Sequence, residues 1–348
     1  MCKRNMRLAA LVVGCILFSG CSQNSAEAKY DDTSPCSRDI FAMDTYMNLK
    51  AYGTNADKAL SEAEERILTL EKELSVTSDT SDIYKLNDAS GEPVQICDDA
   101  AFLIERSKEF GLTTSGCLDI TVFPVLREWG FTTGEYSLPD KKRISELLEY
   151  VGFDRIQIND NTVQLPENVQ IDLGAVTKGY TGDEVINILR SYNIKSGIIS
   201  LGGNVQTLGT KPDGKDWKVA VRDPFKTDTD MCIVEIADKA VITSGNYERF
   251  FIGEDGKRYC HIIDPKDGFP ADNGFVSVTV IGENGLTCDA LSTAVFVAGE
   301  EESQEIIKSF PGYDFVIVSD NEKVFYTEGL TGHFQNTSTM DAEVMTFD

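Results

Sequence analysis

Histidine is scarce in this chain, with two among 348 residues, so little can rest on imidazole chemistry. No CxxC pair occurs, which removes the zinc-ribbon and thioredoxin-like classes. GxSxG, HExxH and GxxxxGK[ST] are also missing. Their absence leaves no support for a serine-nucleophile elbow, a zinc-protease helix or a Walker loop. Positive charge is short as well: 32 Lys and Arg against 57 Asp and Glu, a formal net charge of −25. With no basic stripe to neutralise a phosphate backbone, nucleic acid is excluded as a partner. The most apolar run, LAALVVGCILF at 8–18, is too short to span a bilayer comfortably.

What is present describes a folded extracytoplasmic chain. Hydrophobic residues make up 41% of it, enough for one large domain or two lobes. Lys3, Arg4 and Arg7 precede the apolar run, and Ser19-Gly20-Cys21 follows it. This order predicts a lipoprotein signal peptide over 1–20, with lipid on Cys21 anchoring the chain to the outer face of a membrane. Residues 21–37 are polar and small, a tether; a domain over 38–330 and a polar tail over 331–348 follow. Cys36, Cys97, Cys117, Cys232, Cys260 and Cys288 are too scattered for a metal motif and suit isolated buried thiols.

Along the domain, 41–53 alternates as a strand, and Ala59, Ala63, Ile67, Leu70 and Leu74 mark an amphipathic helix over 55–74. Helices are expected over 98–110 and 139–152. A strand at 169–173 runs through Gly174 into a helix bearing Lys178. The segment 196–209 is a buried strand ending in Gly202-Gly203-Asn204, where paired glycines permit positive φ and close approach. Further strands fall at 217–222, 232–251 (two), 275–282, 313–318 and 323–327, with a helix over 301–309. The irregular interspersion predicts an α+β fold rather than an alternating parallel sheet.

TCDALSTAVFVAG, 287–299, carries the most pointed chemistry. Asp289 and Thr293 are four residues apart in a helix-compatible run and so share one face. Two oxygen ligands so placed suit a hard cation such as Mg²⁺; taken alone, the pair is better explained by an ordinary helix start with a core-facing threonine. Of the histidines, His261 lies in a strand–turn bounded by Gly and Pro and is the candidate for proton transfer, while His333 falls in the tail. Asp119 is the only charge in the first half of TSGCLDITVFPVLREWGF, as a cleft carboxylate or a turn cap.

Eight segments in one order then resemble the ApbE family, the FAD:protein FMN transferases. They are MDT at 43–45, SVTSDTSDIYKLN at 75–87, LDITVFPV at 118–125, IDLGAVTKGY at 171–180, SLGGN at 200–204, TSGNYERFF at 243–251, HIIDP at 261–265 and CDALSTAVFV at 288–297. The resemblance implies two α/β lobes with mixed and antiparallel sheets and a flavin-binding cleft between them. It implies Mg²⁺ held by the Ala175 carbonyl and the side chains of Asp289 and Thr293. FAD would contact Met43, Asp119, Asp172, Lys178 and Ile263, with Gly202 and Gly203 bordering the site and His261 as the catalytic base. FMN would pass from FAD to a Thr or Ser hydroxyl of a membrane or extracellular electron-transport flavoprotein, through a phosphoester, releasing AMP. A Mg²⁺-dependent FAD pyrophosphatase and a non-catalytic FAD-binding lipoprotein are the alternatives. Thr77 stands where many members carry an aromatic residue, which leaves Tyr46 or Tyr84 as the flavin-stacking partner. Cys288 stands where alanine is common.

Overall fold

The computed structural model describes residues 34–346. The signal peptide expected over 1–20 and most of the tether lie outside them. Strand β1 (Pro35–Ala42) pairs antiparallel with β2 (Thr45–Tyr52), so residues 35–37 belong to a sheet and not to a tether. The single strand expected over 41–53 is thus a hairpin. Its turn, Met43-Asp44, has φ 51° and 56°, the doubly left-handed turn whose twist matches the flanking strands.

Helix α1 (Ala56–Leu74) buries Ala59, Leu60, Ala63, Ile67, Leu70 and Leu74, the face its spacing demands. Each fully buried Leu or Ile there contributes about 1.5–3 kcal/mol. Then come α2 (Asp82–Asp88), capped by Ser81, β3 (Val94–Gln95) and α3 (Asp98–Thr113). Pro124 sits in the first turn of α4 (Phe123–Glu128), where its missing N–H is harmless. Asp140 caps α5 (Lys141–Leu148), and β4 (Gln157–Asn159) and β5 (Thr162–Gln164) join β3 in a small sheet.

Residues 169–173 form no strand; they are held by single bonds, Asp172 N–H to the Ile120 carbonyl at 2.8 Å and Ile171 N–H to Asn87 Oδ1 at 2.7 Å. They lead into α6 (Gly174–Ser191). Strand β6 (Ser196–Leu201) turns at Gly202-Gly203, φ 62° and 101°, into an additional strand, β7 (Asn204–Leu208). Next are β8 (Trp217–Arg222), β9 (Asp230–Ile236), β10 (Ala240–Gly245), β11 (Phe250–Ile252), β12 (Arg258–Cys260) and β13 (Phe275–Gly282). Helix α7 (Gly285–Ser309) is broken at Gly299, φ 64° and ψ −162°, separating the 287–299 and 301–309 helices of the sequence. Strands β14 (Asp314–Ser319) and β15 (Lys323–Tyr326) follow.

The expected polar tail is structured. Strand β16 (Phe334–Asn336) pairs antiparallel with β9, and β17 (Asp341–Val344) pairs parallel with β15. Short strands of mixed polarity give almost no periodic signal, and β16 pairs with a strand far away in sequence, Phe334 opposite Val234.

The architecture is α+β. A nine-stranded sheet, ordered β1-β2-β6-β7-β10-β13-β14-β15-β17, runs through the molecule. α1 and α6 cover the β1-β2-β6 end, where Met47, Leu49, Val185, Leu189 and Ile199 share a core. α7 lies on β10 and β13, with Leu291, Val295 and Phe296 against Ile242, Val278 and Val280. The opposite face carries the sheet β16-β9-β8, whose Trp217, Val219 and Val234 meet Val241, Ile281 and Val318. Every residue of β13 is buried, as a strand covered on both faces and both edges must be.

Candidate functional site

Two glycines let α6 and α7 cross closely. A Cβ on Gly179 would lie 2.2 Å from the Gly285 carbonyl oxygen and 2.7 Å from the Asp289 Cβ. Gln206 Nε2 donates to the Gly179 carbonyl at 2.9 Å and tethers the crossing to β7. Asp289, 5% exposed, points into the crossing: Oδ2 accepts the Gly179 N–H at 2.8 Å and Oδ1 accepts Asn204 Nδ2–H at 3.1 Å. In a regular helix the Gly179 N–H pairs with the Ala175 carbonyl one turn back. Thr293, one turn along α7, exchanges a hydrogen bond with Ser244 Oγ at 3.2 Å, and Ser244 with Ser292 at 2.8 Å.

Burial raises the Asp289 pKa, and nearby Lys178, the Gly179 N–H and Asn204 act against the rise. Among the described residues neither carboxylate oxygen bonds a cationic side chain. Nor is any group of three or more His, Cys, Asp and Glu placed to hold a metal. The candidate donors are one carboxylate, one hydroxyl and one carbonyl. An all-oxygen set of low charge fits a hard cation that takes its remaining ligands from water or phosphate. Cys288 is fully buried with its thiol pushed well above the usual range, a small core residue and not a soft ligand.

Asp172 lies at the start of α6, where Oδ1 accepts the Gly174 N–H at 2.9 Å. Burial raises its pKa, while Lys178 and Arg249 lower it, so two cations stand within electrostatic reach. The same two act on His261. Burial first, then repulsion from Arg249 and Lys178, lowers the imidazole to about 4, so it is neutral at pH 7. Its surface remains partly open to solvent, although protein surrounds most of the ring. His261 Nδ1 lies 3.2 Å from the Arg249 carbonyl oxygen. A carbonyl only accepts, so Nδ1 carries the proton and Nε2 keeps a free lone pair.

Other expected site residues take supporting places. Both oxygens of Asp119 are used internally: Oδ1 accepts the Thr121 N–H at 2.8 Å and the Thr121 hydroxyl at 2.6 Å, and Oδ2 accepts the Phe153 N–H at 3.0 Å. It is a turn cap, ordering the Ile120 carbonyl that holds Asp172. Ile263, 5% exposed, packs in the core around Val125, Trp129 and Ile144, so its side chain is turned inward. Met43 donates its N–H to Glu71 at 2.6 Å, and its sulfur lies 3.8 Å from the Thr181 hydroxyl, which itself donates to the Thr177 carbonyl; this sets Met43 beside α6. Gly202 meets Thr45, where a Cβ would come within 2.4 Å of the hydroxyl, and around Gly203 the space is open. Thr77 is exposed, as are Tyr46 (61%) and Tyr84 (36%).

Arg249, Asn204, Ser244 and Gly179 were not singled out from the sequence as site residues. Each lies inside or beside a quoted segment, and TSGNYERFF was the signal that could have exposed Arg249.

A model of the ApbE family matches residues 43–317. A Treponema pallidum protein named FAD:protein FMN transferase is 31% identical over 316 residues, covering 84% of this chain and 87% of that one. One of the same name from Escherichia coli K12 is 28% identical over 313 residues, covering 86% and 88%. The crystal structure of the ApbE protein of Thermotoga maritima superimposes with a TM-score of 0.81 at 30% identity, covering 86% of this chain and 99% of that one. The Pseudomonas stutzeri flavinyl transferase ApbE gives 0.73 at 27%, covering 82% and 91%. With its ordered segments, its α+β fold and these likenesses in agreement, the chain belongs to the ApbE family.

Proposed function

We propose that this chain transfers FMN from FAD to a hydroxyl of a protein acceptor, leaving a phosphoester and releasing AMP. The observation carrying this reading is the Gly179–Asp289 bond, which brings the 171–180 segment against α7 in a chain of this family. Ala175, Asp289 and Thr293 would hold Mg²⁺, which, when bound, neutralises phosphate charge and so favours departure of AMP.

The remaining work falls to side chains. Lys178 supplies positive charge to an anionic substrate in a protein of net charge −25. His261 Nε2 accepts the proton of the acceptor hydroxyl as its oxygen bonds the FMN phosphorus. The P–O bond to AMP breaks, AMP leaves with the bonding pair, and the imidazolium returns its proton to solvent. Met43, Gly202 and Gly203 border the substrate, with Tyr46 or Tyr84 available to the flavin ring. Asp119 and Ile263 act by shaping the backbone around it.

Lipid on Cys21 would place the site on the outer face of a membrane, near flavoproteins of membrane or extracellular electron transport; Lys3 to Arg7, the apolar run and Ser19-Gly20-Cys21 support this. Incubating the protein with FAD, Mg²⁺ and such an acceptor should yield a fluorescent flavin band that survives denaturing electrophoresis. AMP and FMN formed at full rate with no labelled band would replace transfer by hydrolysis.

A further inference from the structure

We propose that Arg249 is the positioning residue for His261: its carbonyl holds Nδ1–H, aiming Nε2 as the proton acceptor, and its guanidinium braces the imidazole through Phe131. The proposal rests on His261 being the general base of the transfer reading.

The β11–β12 ladder pairs Phe250 with Cys260, and the His261 N–H extends it by one bond, to the Arg249 carbonyl at 3.0 Å. The same oxygen takes the imidazole Nδ1–H at 3.2 Å. One acceptor with two lone pairs thus fixes both the backbone and the ring of His261. Arg249 Nη2 in turn donates to the Phe131 carbonyl at 2.8 Å, across 118 residues of sequence. The Phe131 ring meets the imidazole edge-on, centroids 6.3 Å apart at 62°. Phe131 is held from behind by Tyr136 at 5.4 Å and Phe251 at 5.8 Å. The result is a closed loop of Arg249, Phe131 and His261, with every member tied to the other two. The charged groups acting on the imidazole are Arg249, beside β11, and Lys178, on α6; both are cations, and both keep it unprotonated.

With two histidines in the chain, ¹⁵N-histidine NMR can observe this directly, His333→Gln assigning the second signal. At pH 7 His261 should be neutral, with Nδ1 protonated and Nε2 bare; an Nε2-protonated ring overturns the proposal without any variant being made. In flavin transfer, Arg249→Gln should lower kcat by about 10- to 100-fold, part of the roughly 10²–10⁴ a general base supplies. KM for FAD should change little, and the acid limb of the pH–rate profile should move up. Arg249→Lys should return the limb toward its original position while kcat stays low, because the charge is restored and the Phe131 tie is not. A raised KM for FAD with unchanged kcat would make Arg249 a substrate contact and overturn the proposal. His261→Ala separates the two ideas. Full activity there removes the base reading itself, whereas an inactive His261→Ala beside an unaffected Arg249→Gln removes only the role of Arg249.

Discussion

Asp289 keeps a carboxylate away from water with two neutral donors, and that has a cost. Its folded pKa is raised, so the folded state binds the proton more tightly than the unfolded chain does. Stability therefore falls as pH rises from the ordinary carboxylate value through the raised one. Asp289→Asn keeps the shape, and rotation of the Asn204 amide can present it an acceptor. The metal-free Tm at pH 7 should rise in this variant while turnover is lost. In the parent protein, Mg²⁺ at 100 times its Kd should add about 2.7 kcal/mol to unfolding, and in Asp289→Asn almost none. Thermal melts with Mg²⁺ and with EDTA check both. His261 gives a second prediction at this scale. Held at about 4, it stays a base throughout the neutral range, so transfer should be flat there and fall as pH drops toward that value. A limb at the ordinary histidine pKa of about 6.5 would mean that the ring is not shielded as its surroundings require. Circular dichroism at each pH separates loss of the base from loss of the fold.

At the scale of elements, the site depends on how closely two helices approach. Gly179 and Gly285 allow α6 and α7 to meet backbone to backbone, and Asp289 bonds across the gap. Gly179→Ala should cost about 1–3 kcal/mol in urea unfolding, because its Cβ has backbone in its way. It should also weaken the Mg²⁺-induced rise in Tm by moving Asp289. Gly312→Ala is the control: its Cβ meets nothing within 4 Å, and the change should be neutral or stabilise by about 0.4–1 kcal/mol. The two turns near this crossing were only half visible beforehand. The pair Gly202-Gly203 announces a turn by composition, whereas Met43-Asp44 adopts the same left-handed conformation with side chains that normally avoid it. Nothing local in MDT foretells that, since the twist of β1 and β2 imposes it.

For the whole molecule, the last strands close the fold. Leu330 and Met340 are 2% and 8% exposed in the core under Trp217, Val234 and Val324. Ending the chain after Thr327 would lose about 1.5–3 kcal/mol for each of these side chains and uncover two strand edges. Against a typical total of about 5–15 kcal/mol, the truncated protein should be aggregated or unfolded, as size-exclusion chromatography and circular dichroism would register.

The long helices and the central strand were determined by the sequence alone. Ala59 to Leu74 recur at three and four residues, and FVSVTVIG is apolar enough to be covered on both faces; such periodicity states which side of an element is buried. The ordered segments carried the family in the same way, because motif residues are local. Periodicity does not say which distant segment does the burying. That Asp289 bonds a glycine 110 residues away, that Arg249 holds His261 and Phe131 together, and that the last residues complete two sheets were decided only by tertiary structure. These contacts come from the packing of α6 on α7 and of strands on strands, where side-chain volume and the pairing of buried polar groups select one arrangement.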